Sequence, residues 1–144
     1  MTSYETIYNR FLARTTDFNL VELDDYTLNE MLKSWLRSAI VKTRTSSDLS
    51  VRDEENEVFE NDLTDLDVEL LAMGMTLAWL DQTLNSTELT LMMLGGKEQK
   101  FYSQSQHISE LRALRADTLR EMQQLYTYET YNNNDFFNDQ GGTL

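Results

Sequence analysis

No proline occurs anywhere in this chain, and that absence constrains its fold more than any other feature. Without proline no helix is broken from within by a missing N–H, and tight turns must come from glycine, asparagine or serine. Apolar periodicity points the same way. Ser3 can cap a first helix in which Tyr4, Ile7, Tyr8, Phe11 and Leu12 recur at helical spacing, predicting a helix near residues 4–13. Thr27 and Glu30 have capping-box spacing before a second stripe of Leu28, Met31, Leu32, Trp35, Leu36, Ala39 and Ile40, which predicts a helix over 28–43. Thr64 or Asp65 can cap a third helix over 66–84, apolar nearly all round and so expected at the centre of a bundle. Its Met73 and Met75 are expected in the core, and Gly74 costs about 1 kcal/mol relative to alanine unless a neighbour needs close approach. Asn85-Ser86-Thr87 is expected to turn the chain into a short helix, Glu88 to Met93, which Gly95-Gly96 ends. Lys100 to Gln104 is expected to be extended, followed by a last long helix over 106–126.

The 144 residues suit one domain, expected as an all-α bundle of about four main helices (1–127) with an acidic loop and an extended C-terminal arm (128–144). Cysteine is absent and His107 is the single histidine, so disulfides and thiolate chemistry are excluded and a transition-metal site would rest almost wholly on carboxylates. No cofactor, metal or catalytic residue is expected. The N-terminus has neither a basic nor an apolar leader region, and no run of about 18 apolar residues occurs; a soluble protein made in a cytoplasm, without membrane contact, is the expectation.

Charge is uneven. Between Asp48 and Glu69 stand ten carboxylates and one base, Arg52, a local −9 within a formal net charge of −13. Like charges crowded together oppose compaction, so the block is either a disordered spacer or a solvated surface that holds another polyanion at a distance. Asp53, Glu54, Glu55, Glu57, Glu60 and Asp62 are its candidate functional residues, on a segment, 45–62, expected to be a loop with at most a short helical turn. A calcium loop is unsupported, because alternating Asp/Asn around a central glycine is missing, and no cleft is legible around any glycosidase-like carboxylate pair. Gly95-Gly96-Lys97-Glu98 lacks the spacing of a phosphate loop. Lys33, Arg37, Lys42 and Arg44 make the second helix basic toward its C-terminal end. They complement the helix dipole, contact the acidic block, or meet a neighbouring subunit. His107, alone, reads as a surface or half-buried polar residue. Beyond Tyr126 the chain carries no lysine or arginine but is rich in asparagine and aromatics; Tyr128, Tyr131, Phe136 and Phe137 are candidate anchors of an arm that orders on a partner.

In order and size these features resemble the head-tail connector (adaptor, or head-completion) proteins of tailed bacteriophages. The likeness rests on a helix ending near Thr43, a linker with Asp48-Leu49-Ser50-Val51-Arg52-Asp53, the helix from Glu69-Leu70-Leu71-Ala72 through Ala78-Trp79-Leu80, and Gly95 to Gln104 leading into His107-Ile108-Ser109-Glu110-Leu111-Arg112. It runs from about Tyr4 to Tyr131. The resemblance implies a virion protein of the neck, without an active site, in a homo-oligomeric ring of about twelve copies beneath the portal. Its partners would be itself, the portal protein and the next neck or tail protein, with genome DNA passing without sequence-specific binding. The tail would reach the portal or the next ring. Two rivals are another neck, tail-completion or baseplate component, and an acidic DNA mimic or regulator. A mimic would spread its acids along the chain, which this one does not, and no nucleophile, base and oxyanion set can be assembled for an enzyme.

Overall fold

Apolar stripes at helical spacing give this chain its architecture, and the computed structural model describes it over residues 1–16, 20, 23–94 and 98–133, with side chains described outside 88–104 and 131–133. Among the described residues the order is β1 (Thr2–Ser3), α1 (Tyr4–Arg14), α2 (Asp25–Lys42), β2 (Arg52–Asp53), β3 (Val58–Phe59), α3 (Asp65–Leu94) and α4 (Glu98–Asn133). The expected all-α bundle is present, with a small sheet added to it.

Ser3 starts α1 by accepting from the Glu5 amide, and the stripe Tyr4, Ile7, Tyr8 and Phe11 is buried. On α2 the expected stripe buries Leu32, Trp35, Leu36 and Ala39. Its cap differs from expectation. Asp24, three residues ahead of Thr27, accepts from the Thr27 amide at 2.9 Å, so the helix begins a turn early and Thr27 is inside it. Every residue from Leu70 to Thr76 on α3 is buried, which fits its contacts with α1, α2 and α4. Phe11 packs against Trp35 and Trp79 at ring-centroid distances of 5.5 and 6.4 Å, joining three helices at one aromatic centre.

Three expectations are corrected. The turn at Asn85-Ser86-Thr87 does not form: α3 runs unbroken for 30 residues to Leu94, and the Thr87 hydroxyl donates to the Thr83 carbonyl one turn back instead of capping a new helix. Lys100 to Gln104 is helical, because α4 begins at Glu98. That helix also passes Tyr126 without a break and continues to Asn133, so asparagines at 132 and 133 do not stop it. Gly95, Gly96, Lys97 and residues 134–144 lie outside the described residues.

The acidic segment is also more ordered than a loop. β2 and β3 form a hairpin, and β1 joins the other side of β3, giving an antiparallel sheet in the order β1-β3-β2 with Thr2 and Arg52 both opposite Phe59. Phe59 is fully buried, 4.8 Å from the Tyr4 ring, so one apolar residue nails an otherwise polar hairpin to the bundle. Two-residue strands are too short to show period-two alternation in sequence.

Candidate interaction surface

Each carboxylate of the acidic block has a definite environment, and most face a donor within the same chain. Asp48 accepts from the Ser50 amide and hydroxyl at 2.9 and 2.6 Å. Glu54 receives Arg52 Nε at 2.7 Å. Asp53 accepts from the amides of Glu55 and Asn56, both at 3.0 Å, and this side-chain turn shapes the hairpin tip. Glu57 then leaves the tip at φ 56°, an uncommon conformation for a residue with a β-carbon. Two contacts hold it there: its carbonyl accepts from the Tyr4 amide at 2.9 Å, and its carboxylate lies 2.9 Å from Lys33 Nζ. Asp62 forms an ion pair with the N-terminal ammonium.

Two further acids, absent from the candidate set, organise the fold. Asp67 is fully buried and accepts from the amides of Ser46 and Ser47 and from the Ser46 hydroxyl, at 3.0 to 3.2 Å. Burial works against its charge, but the Ser47 and Ser46 bonds outweigh it and hold its carboxyl below the ordinary aspartate value. Glu69 receives Arg10 and Arg14 at 2.8 Å each, and Arg14 also reaches Glu121 at 2.7 Å, tying α1, α3 and α4 together. Sequence offered one hint for Asp67, its place in the first turn after the Thr64 cap. The donors come from 20 residues upstream and no spacing rule links them.

Glu55, Glu60 and Asp65 remain exposed with no ion pair among the described residues. They are the free carboxylates of the block: Glu55 at the tip of a hairpin anchored by Phe59 and Glu57, Glu60 just after β3, and Asp65 at the start of α3. Of the candidate basic residues, Lys33 answers Glu57 within the chain, and that carboxylate raises the lysine's pKa. Arg37 is exposed beside a small cavity of about 50 Å³ under the hairpin, which Tyr4, Leu36, Glu54 and Glu57 also line. The Tyr8 hydroxyl is buried nearby without a hydrogen-bond partner among the described residues. Arg44 stacks over the Tyr126 ring at 4.8 Å while its amide donates to the Tyr126 hydroxyl at 3.1 Å. Lys42 is exposed.

Tyr128 stands exposed on α4, Tyr131 lies on the same helix, and Phe136 and Phe137 fall outside the described residues. His107 is half-buried at the edge of a groove of about 410 Å³ between α2, α3 and α4, floored by the edges of Trp35 and Trp79. Among the described residues no group of three or more metal-ligating side chains converges, and no helix is long and apolar enough to cross a membrane. No family model, curated protein or solved structure matches this chain.

Proposed function

We propose that this chain is a non-catalytic structural subunit of a head-tail connector ring in a tailed bacteriophage, placed beneath the portal around the DNA passage. The observation that carries this reading is a set of free carboxylates, Glu55 at the hairpin tip, Glu60 just after β3 and Asp65 at the start of α3, with no cation of the chain beside them as an ion-pair partner among the described residues. An array of such carboxylates repels phosphate and lets a genome slide, the reverse of the counterion release by which basic proteins hold DNA. The sequence likeness supplies the setting, and the helical bundle agrees with it. A DNA mimic fits less well. Asp48, Asp53, Glu54, Glu57, Asp62, Asp67 and Glu69 are committed to donors of the same chain, which leaves too few free charges to imitate a run of phosphates.

The test is the triple substitution Glu55→Gln, Glu60→Gln and Asp65→Asn, which disturbs no contact described above. The bundle is expected to keep its stability within about 0.5 kcal/mol, as surface changes usually do, and rings should form on the portal as before. DNA release from assembled particles should slow. Failure of the purified chain to bind a portal ring by light scattering, or unchanged release from the triple variant, would overturn the proposal; binding to a different neck or tail ring would move the subunit within the virion.

A further inference from the structure

The groove at His107 combines an apolar floor with a polar rim, and no carboxylate lines it among the described residues, on a chain that carries 25 acids. Trp35 and Trp79 are buried except for the edges they present to it, and Trp35 Nε1 is fixed by Gln82 Oε1 at 2.8 Å. Leu20, Met31, Thr83, Thr87 and His107 are among its walls. Its volume lies in the range of sites that bury a ligand. An acidic, aromatic segment suits such a place, since it meets tryptophan edges and hydroxyls without facing a carboxylate.

The chain itself contains that segment: residues 134–144 hold Phe136 and Phe137 with two aspartates and no base. The tail cannot fold back into its own groove. The 26 residues from His107 to Asn133 span about 39 Å of α4, whereas Phe137, four residues past Asn133, can lie at most about 14 Å from it. We infer that the groove receives Phe136 and Phe137 from the tail of a second copy, so that copies link head to tail. A heterologous contact of this kind closes into a ring when its rotation allows. The inference deepens the connector proposal by naming the occupant of one subunit contact, but its test needs no portal.

The two tryptophans are the only ones in the chain and both line the groove, so they report on it directly. A synthetic peptide of residues 131–144 is titrated into the full-length chain, at a concentration where light scattering shows a monomer, and tryptophan emission is followed. A saturable change is expected. The same peptide with Phe136→Ala and Phe137→Ala should bind at least about tenfold more weakly, because two aromatic burials are lost. Thr87→Arg, whose hydroxyl makes only a local bond to Thr83, should fill the groove and abolish the change while circular dichroism and Tm stay at parental values. In a second arm, full-length Thr87→Arg (intact tail) is mixed with full-length Phe136→Ala/Phe137→Ala (intact groove). At concentrations where the parent associates, each variant alone should stay monomeric and the mixture should form one-to-one pairs. Unchanged emission up to about 1 mM peptide, the upper end of weak affinities, or equal binding by the Thr87→Arg chain, overturns the inference. A chain that binds its tail peptide yet ignores the portal would overturn the connector proposal alone.

Discussion

Gly74→Ala should destabilise this protein, although helix propensity alone says the opposite. Gly74 lies in the buried middle of α3, and alanine there would gain about 1 kcal/mol in an isolated helix. In the folded chain the added Cβ would stand 2.4 Å from Thr43 Oγ1, 2.9 Å from the Ala39 Cβ and 3.3 Å from the Ala39 Cα. The threonine hydroxyl can rotate aside. The Ala39 atoms cannot, since they belong to the α2 backbone and its first carbon, so α2 and α3 must separate. Overpacking of this kind costs about 1–3 kcal/mol, and a backbone neighbour places the site near the upper end. After the propensity gain the net loss is about 1.5 kcal/mol, near 5 °C in Tm for a chain of this length. Urea unfolding followed by tryptophan emission should show the midpoint falling by about 0.7 M with an unchanged slope. Ala39→Gly removes the clashing carbon, so in a double-mutant cycle the two changes should couple favourably by at least about 1 kcal/mol. A stabilised Gly74→Ala, or strictly additive effects, would refute the close approach of α2 and α3.

Two further outcomes follow from buried polar groups. Asp67→Ala strands the Ser46 and Ser47 donors and should cost about 3 kcal/mol. Because the folded carboxyl titrates below the ordinary value, its contribution is complete above about pH 4 and fades as pH falls through the lower folded value; the stability gap between parent and Asp67→Asn should therefore narrow in acid urea titrations, and a constant gap would contradict this. Burial first, then the Glu54 charge, pushes the Tyr4 hydroxyl up to about 12, and burial with the Glu57 charge raises Tyr8 further. A folded state that keeps these protons longer loses stability as pH rises above the ordinary tyrosine value of about 10. Tyr8→Phe, which also removes a hydroxyl without a partner, should be neutral or slightly stabilising at pH 7 and should blunt the alkaline loss; ultraviolet titration should find two tyrosines that ionise late.

The stripes of α1 and α2 were legible residue by residue, because a helix that buries one face repeats its apolar residues at a fixed interval. The all-round apolarity of α3 likewise marked it as central. Local signals misled where the helix overrode them: Asn85-Ser86-Thr87 has turn chemistry, yet α3 runs through it, and the Thr87 hydroxyl bonds back to the Thr83 carbonyl. The hairpin went unseen because its order comes from Phe59 and from donors distant in sequence. Composition located the acidic block correctly, but only geometry separated the carboxylates that build the fold from Glu55, Glu60 and Asp65, which face solvent.

The place of β1 at the edge of β3 sets an order of events during synthesis. Thr2 and Ser3 are made before their partners Val58 and Phe59, which follow 55 to 57 residues later, an interval of about 3–11 s at ordinary translation rates. α1 waits still longer, since its main partner, α3, begins at Asp65. Until α2 is made, Tyr4, Ile7, Tyr8 and Phe11 present an uncovered apolar stripe. The α1 stripe is thus an adhesive segment of the nascent chain, and α2, whose Trp35 packs on Phe11, is the next element able to shield it.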